Sequence, residues 1–388
     1  MIATQFNATV KEVKTDNEGE FISTSMQDFF KAYIINRLPS QTLEEKSFYE
    51  AFFGEDAMYV LSLAAQHNWF VHQLDIYNAF LQGDLHDDVY MQLPEGFHTQ
   101  GESGLVCELV KSLYGLKQAS RQWNLKLSEA LLESDFVQSS LDHSLFIKRK
   151  GSDMVVILVY VDDMLVTGSN LRLIEHTKAI LHKAFKIKDL GELKFFWGME
   201  FSRSVKGILM NQMKYALKII SDLGLGNAKP AWTPLEANIK LTIQELDCLT
   251  GELDDELSKD KEQYQRLIGK MLYLTMTRLD IFYSIQTFSQ FLHQPKRSHW
   301  EVAVRVMKYI KREPGLGILL SSKRVNKLNV YCDADWAACP NTRRLVSGFL
   351  AKHGETLLSW KSKKQNVVSR SSAKAEYKSM TNAISELV

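Results

Sequence analysis

The stretch VVILVYVDDMLVTG, from Val155 to Gly168, decides the fold prediction. Ten of its fourteen residues are apolar, which is typical of buried strands, yet Asp162 and Asp163 stand side by side at its centre. Two carboxylates ~4 Å apart repel by roughly 4 kcal/mol at an effective dielectric constant near 20. We therefore expect both at a strand end or hairpin tip, where solvent, protonation of one member or a bound cation offsets the repulsion. From these residues alone, an ordinary Asp-rich turn remains the alternative.

A second strand-like run carries another carboxylate. FVHQLDIYNAF, from Phe70 to Phe80, has Asp75 in its middle, on the same strand face as Gln73 and Val71. Hard divalent cations such as Mg²⁺ bind carboxylate oxygens together with substrate phosphates. A strand aspartate plus an apolar-Tyr-x-Asp-Asp pair is the arrangement of a palm-type polymerase.

The length and composition of the chain limit the classes of protein to which it can belong. The chain has 388 residues, of which 45% are apolar, and this length and composition favour two or three folded domains. Its net charge is +1, and its four cysteines do not have the spacing of metal ligands. Its longest apolar run, Met154–Val161, has eight residues, far below the ~20 of a membrane span. We therefore expect an intracellular protein, in the cytoplasm or nucleus, that is neither secreted nor membrane-bound.

The pattern of apolar runs and turn signals predicts an α+β fold. Helical spacing covers Asn124–Glu133, Leu171–Phe185 and Gln212–Leu223. KFFWGMEF (Lys194–Phe201) is predicted to be one strand. Eight acidic residues against two lysines between Glu245 and Glu262 indicate a linker. A second α/β unit begins at Lys327.

Eight sequence runs resemble one family, in family order. They are QLDIYNAFLQGDLHDDVYMQLPEGF, CELVKSLYGLKQASRQW, LDHSLFIK, VVILVYVDDMLVTGSN, LGELKFFWGMEF, YQRLIGKMLYL, YCDADWA and VVSRSSAKAEYKSM. From about Tyr49 onward the chain resembles the reverse transcriptase–RNase H region of copia-type LTR retrotransposon polyproteins. This implies a palm-type polymerase domain with thumb and connection helices, followed by an incomplete RNase H-like α/β unit.

The resemblance implies roles for particular residues. Asp75, Asp162 and Asp163 would bind Mg²⁺ or Mn²⁺ and catalyse DNA synthesis. Phe80 would be the aromatic gate under the sugar, with a core aromatic as the alternative. Tyr114 and Gly115 would lie near the incoming nucleotide and the template, with a simple helix-initiating turn as the alternative for Gly115. The segment Phe196–Glu200 resembles a primer grip. The implied partners are an RNA template, a DNA primer, deoxynucleoside triphosphates and an RNA–DNA hybrid.

The C-terminal unit resembles an RNase H. Asp333, on the strand KLNVYCDADW, and Glu376, on the helix that follows Arg370, would be its catalytic metal ligands. From the residues alone, Glu376 is more simply an ordinary solvated helix residue. We expect Asp335 on the opposite strand face from Asp333, and therefore prefer Asp333. Nine basic residues against two acidic ones between Arg343 and Lys378 would suit a polyanion, or equally a solvated face.

The N-terminal residues carry a different resemblance. The run TDNEGEF resembles part of a retrotransposon integrase core, in which Asp16 would match one catalytic aspartate. The implied domains are an integrase fragment at 1–36, a deletion junction at 37–48, palm and thumb at 49–240, an acidic linker at 241–263, a helical connection at 264–326 and a truncated RNase H-like domain at 327–388.

Departures from the family pattern lower the polymerase activity that we expect. The basic run that would form the fingers is missing before Tyr49, and the RNase H pattern continues beyond Val388. We therefore expect an RNA-directed DNA polymerase that is a deleted and poorly active copy. The alternatives are a catalytically dead transposon remnant and a non-catalytic nucleic-acid-binding protein.

Overall fold

The protein is described here by a computed structural model. It covers residues 10–14, 54–85, 87–92, 106–140, 142–236, 239, 241–251, 255–337, 339, 341–366 and 368–387. Most of the predicted integrase fragment, with Asp16, and the predicted junction at 37–48 lie outside these residues. No helix in the described ranges is both long and apolar enough to cross a membrane.

The described residues contain strands and helices throughout. In chain order the strands are β1 (Val10–Lys14), β2 (Phe70–Ile76), β3 (Tyr90–Gln92), β4 (Val106–Glu108), β5 (Val137–Gln138), β6 (Leu145–Lys150), β7 (Asp153–Tyr160), β8 (Asp163–Gly168), β9 (Ile187–Glu192), β10 (Phe195–Phe196), β11 (Met199–Ser204), β12 (Gly207–Asn211), β13 (Ile318–Ser321), β14 (Leu328–Asp335), β15 (Val346–His353) and β16 (Thr356–Lys364). The helices are α1 (Gly54–Gln66), α2 (Ala79–Gln82), α3 (Ala119–Leu132), α4 (Leu171–Ala184), α5 (Met213–Asp222), α6 (Gln244–Thr250), α7 (Lys261–Leu274), α8 (Phe282–Phe288), α9 (Arg297–Ile310) and α10 (Ser372–Leu387). The chain is a mixed α/β protein, which confirms the fold prediction at that level.

The chain divides into two compact units. One runs from His67 to Leu193, and the other combines the described residues of Met1–Gln66 and Lys194–Val388. The finer domain boundaries given above stay predictions.

The His67–Leu193 unit is built on one antiparallel sheet of six strands, in the order β5-β6-β7-β8-β2-β9. Alternate residues of the inner strands, such as Leu74, Ile157 and Val166, enter a single core. Helices α3 and α4 contribute to the same core through residues such as Leu127 and Ile174. Strands β7, β8 and β2 lie next to one another inside this sheet. Asp75 belongs to β2, Asp163 begins β8, and Asp162 lies in the turn between β7 and β8.

The other unit contains two four-stranded sheets, ordered β10-β11-β12-β13 and β1-β14-β15-β16. Strand β1 pairs with β14 in parallel. Helices α5, α7, α8 and α9 share a separate apolar core. Helix α10 packs on β14 and β15, where Met380 and Ala383 join Leu328 and Val330 in a third cluster.

The predicted single strand Lys194–Phe201 is wrong. Phe196 pairs with Met199 across a two-residue turn, so the segment is a hairpin of β10 and β11. The turn residues Trp197 and Gly198 have φ values of 47° and 69°. Positive φ at both central residues defines a type I′ turn, whose twist matches that of the flanking strands. A turn of this type interrupts an otherwise continuous apolar run.

Candidate active site

Asp162 and Asp163 lie at the tip of the β7–β8 hairpin. Tyr160 pairs with Asp163, so Val161 and Asp162 form a two-residue turn. The φ of Val161 is 56° and that of Asp162 is not positive, the pattern of a type II′ turn. Glycine is the usual residue at the first position of such a turn, and a β-branched residue there is strained. The strain therefore lies in the backbone of Val161, and the turn places Asp162 at the tip of the hairpin.

Asp75 lies next to Asp163 on the neighbouring strand of the sheet. The two residues are directly opposite in the antiparallel pairing of β2 and β8. Such partners have Cβ atoms about 5 Å apart, and like charges in these positions destabilise the pair. The side-chain amide of Gln73, two residues earlier on the same face, donates to Asp163 Oδ1 at 3.3 Å. All three aspartates are partly buried, so two carboxylates meet where solvent screens them only in part.

The pKa of Asp163 is raised by its surroundings. Burial raises the pKa of Asp163, and the negative charges of Asp162 and Asp75 raise it further, while the Gln73 hydrogen bond opposes the rise. The folded protein therefore favours the protonated form of Asp163 more than the unfolded chain does. A cation between the carboxylates would remove this penalty.

Both carbonyls of the turn are held by hydrogen bonds. The indole Nε1–H of Trp123 donates to the Val161 carbonyl at 2.7 Å. The backbone N–H of Ile76 donates to the Asp162 carbonyl at 2.7 Å. Sequence reasoning assigned no role to Trp123, although the residue lies in the run CELVKSLYGLKQASRQW. No spacing rule links residue 123 to a turn 38 positions later, so sequence periodicity carried no signal for the contact.

Phe80 and Tyr114, two of the predicted substrate-binding residues, are in contact through their rings. Their ring centroids are 4.7 Å apart at an interplanar angle of 46°. Phe80 is partly buried against the core of the unit, whereas Tyr114 is 49% exposed. Gly115 has a φ of 97° with open space around its missing Cβ, so glycine is favoured there by backbone conformation rather than by crowding.

The predicted primer-grip segment, Phe196–Glu200, belongs to the other unit and contains the β10–β11 turn. Glu200 Oε1 accepts a hydrogen bond from the backbone N–H of Lys214 at 2.8 Å. The ammonium group of Lys214 also lies 5.9 Å from the centroid of the Phe195 ring. These contacts fix the hairpin against the start of α5.

The face argument that separated Asp335 from Asp333 is wrong. Asp333 pairs with Gly348 and Asp335 with Val346, two positions apart on β14, so the two side chains share a face. Burial and the charge of Asp333 both raise the pKa of Asp335. Side chains two residues apart on a strand point to the same face, so Asp335 is as well placed as Asp333 to act on that face.

Glu376 is buried on α10, with 6% of its surface exposed, rather than solvated. The helix is joined to β14 at this point by Ser379, whose hydroxyl donates to the Asp333 carbonyl at 2.7 Å and to the Gly348 carbonyl at 3.2 Å. Asp333 is exposed on β14, whereas Val330 and Cys332 of the same strand are buried in the core that α10 covers. The pairing of Asp333 with Glu376 as metal ligands stays a prediction.

The described residues do not include a cluster of three or more His, Cys, Asp or Glu side chains close enough to hold a metal ion. The opposed Asp75–Asp163 pair still fits a hard divalent cation chemically. Mg²⁺ is commonly bound by one or two carboxylates, with substrate phosphates and water completing its octahedron. A metal at this site would therefore depend on bound nucleotide for some of its ligands.

Comparison with known proteins identifies the class. The sequence profile of the family described as "Reverse transcriptase (RNA-dependent DNA polymerase)" matches residues 55–237. That range includes the β7–β8 hairpin, β2 and the Phe80–Tyr114 pair.

Similar proteins narrow the class further. The retrovirus-related Pol polyproteins from transposons RE2 and RE1 of Arabidopsis thaliana are 38% and 39% identical over 328 residues, which is 84% of this chain and 22% of each relative. That from transposon TNT 1-94 of Nicotiana tabacum is 34% identical over 333 residues, 85% of this chain and 25% of the relative. This chain belongs to the Pol polyprotein family of copia-type LTR retrotransposons, which confirms the resemblance to that family, while the RNase H-like unit and the integrase fragment stay predictions. It spans about a fifth to a quarter of the length of these relatives.

Proposed function

We propose that the chain acts as an RNA-directed DNA polymerase, with Asp75, Asp162 and Asp163 as its catalytic carboxylates. The observation that carries the proposal is the register of β2 and β8, which sets Asp75 directly opposite Asp163 beside a tip that holds Asp162. The match to the reverse transcriptase family over residues 55–237 supports the same reaction. In this proposal the His67–Leu193 unit contains the palm.

The proposed cofactor is Mg²⁺ or Mn²⁺, held by Asp75 and Asp163 together with nucleotide phosphates. When bound, such a cation activates a primer 3′-hydroxyl and stabilises the charge that develops on the leaving pyrophosphate. Gln73 orients the Asp163 carboxylate through its amide hydrogen bond. The raised pKa of Asp163 marks a carboxylate whose charge is unfavourable until a cation neutralises it.

The aromatic pair formed by Phe80 and Tyr114 is the proposed nucleotide platform. Partial burial against the core fixes Phe80, while the exposed ring of Tyr114 is free to pack against a sugar or base. Stacking on aromatic rings tolerates any base, as a polymerase requires. The implied partners are an RNA template, a DNA primer and deoxynucleoside triphosphates.

The second unit is proposed to carry the thumb, the connection helices and an RNase H-like region that binds an RNA–DNA hybrid. Asp333 and Glu376 are its proposed metal ligands, and their elements are joined through Ser379. The reaction would take place in the cytoplasm or nucleus, where transposon transcripts are made and used.

Primer extension tests the polymerase proposal. The purified chain is given Mg²⁺, dTTP and poly(rA)–oligo(dT), beside the variants Asp75→Asn and Asp163→Asn. The matched control is Asp153→Asn, a carboxylate on the same hairpin that hydrogen-bonds Ser169 and Asn170 rather than facing another acid. We expect incorporation by the parent and the control, and loss in both site variants.

Incorporation that survives both site changes would show that the carboxylates are misassigned. If a folded parent incorporates nothing yet binds the hybrid in a salt-dependent manner, the chain is a non-catalytic nucleic-acid-binding protein.

A further inference from the structure

We propose that Trp123 is a positioning residue of the polymerase reaction, which holds the Val161–Asp162 turn so that the carboxylates meet Asp75. This inference rests on the proposed function. The observation that supports it is the 2.7 Å hydrogen bond from the Trp123 indole to the Val161 carbonyl. Val161 is the residue of the β7–β8 turn whose backbone is strained.

The turn needs an external restraint. Val161 is 42% exposed and has a φ of 56°, so packing does little to keep its backbone in a conformation that β-branched residues avoid. Strained backbone persists only where its surroundings over-determine it. The Trp123 and Ile76 donors supply that restraint, because they fix two successive carbonyls of the turn from two different elements.

Trp123 is itself held rigidly. It is 2% exposed, and its ring meets Phe185 edge-on, with centroids 5.2 Å apart and an interplanar angle of 78°. Along α3, Trp123, Leu127 and Leu131 are spaced four residues apart and all enter the same core. At the end of α2, a Cβ on Gly83 would come within 3.2 Å of the Trp123 backbone nitrogen, so glycine permits the close approach of this helix.

Burial alone does not account for tryptophan here. Phenylalanine would fill most of the same apolar volume, but only the indole carries a donor that reaches the turn carbonyl. Removing the donor leaves the Val161 carbonyl without this restraint, while Ile76 still donates to the Asp162 carbonyl. Because phosphoryl transfer depends on placement, a displacement of the carboxylates of about 1 Å lowers the rate by up to roughly 100-fold.

The variant Trp123→Phe separates the donor from the packing. In primer extension we expect kcat to fall roughly 10- to 100-fold while the KM for dTTP changes little, since Phe80 and Tyr114 are untouched. The matched control is Phe185→Leu, which removes the same edge-on ring contact but keeps the indole donor. We expect this control to lower the melting temperature while kcat stays within about threefold of the parent.

Hydrogen exchange gives a readout that needs no turnover. The Ile76 amide donates to the Asp162 carbonyl, so its exchange reports on the turn. We expect faster exchange at Ile76 in Trp123→Phe and an unchanged rate in Phe185→Leu. Unchanged exchange in Trp123→Phe, or equal kcat losses in the two variants, would overturn the inference. An inactive parent would instead refute the proposed polymerase function, and Ile76 exchange would still decide whether Trp123 holds the turn.

Discussion

Changing Asp163 to Asn should stabilise the folded protein at neutral pH. Asp163 and Asp75 are directly opposed on β8 and β2, which places their Cβ atoms about 5 Å apart, and we take this value as the order of the separation between their charges. Coulomb's law gives about 0.8 kcal/mol of repulsion at the dielectric constant of water and about 3 kcal/mol at an effective value near 20. Both side chains are partly exposed, so we expect a gain near the lower figure, about 1 kcal/mol. The Gln73 amide can still donate to the asparagine oxygen.

The gain should depend on pH in a definite direction. The pKa of Asp163 in the folded state is raised above its ordinary value of 3.8. The folded state therefore holds this proton more tightly, and the contribution of Asp163 to stability falls as pH rises through the folded pKa. At pH 3, below the ordinary pKa of 3.8, the Asp163 carboxyl is mostly protonated in the folded and unfolded states, so the difference between parent and variant should largely disappear.

Thermal unfolding measures this effect. A gain of about 1 kcal/mol corresponds to a rise in Tm of about 2–4 °C. Asp87→Asn, on an exposed carboxylate of the same unit, is the control and should change little. A variant that is less stable than the parent at pH 7, or a gain that persists unchanged at pH 3, would refute the proposed repulsion.

Three further substitutions test other parts of the fold. Val161→Gly should relieve the strained turn and raise stability by up to about 1 kcal/mol in urea unfolding, while kcat falls; a loss of stability would contradict the strain. Gly168→Ala should destabilise by about 1–3 kcal/mol in the same assay, because its Cβ would clash with the Met154 carbonyl; a neutral result would contradict that packing. Burial lowers the pKa of His299 to about 4, with the Lys296 charge adding to the effect, so stability should fall as pH drops from about 6.5 toward 4. His299→Gln should flatten that fall in a pH series of Tm values, and an equally steep fall would contradict the assignment.

Local features of the hairpin could be predicted from the sequence. Strands β7 and β8 are apolar runs, and two adjacent carboxylates between them require a solvent-facing tip, which is where Asp162 and Asp163 lie. Helices α4 and α5 follow their apolar spacing within one residue at each end. Helix α3 begins five residues before the predicted Asn124, because Ala119 and Trp123 are already part of its buried face.

Long-range features could not be predicted in the same way. The opposition of Asp75 and Asp163 depends on the register of strands 88 positions apart, which no local pattern specifies. The indole bond from Trp123 to Val161 depends on how α3 packs on the sheet. The Trp197–Gly198 turn was missed because tryptophan is not among the residues that usually mark a type I′ turn.

Asp75 and Asp163 are proposed to hold a divalent cation together with nucleotide phosphates, and Mn²⁺ binding followed by electron paramagnetic resonance tests this most directly. Mn²⁺ is titrated into the chain on a primed RNA template whose primer lacks a 3′-hydroxyl, with and without dTTP. We predict that the parent binds Mn²⁺ tightly only when dTTP is present, and that Asp75→Asn and Asp163→Asn lose this binding while remaining folded. Equal Mn²⁺ binding in the parent and both variants would contradict the proposed site.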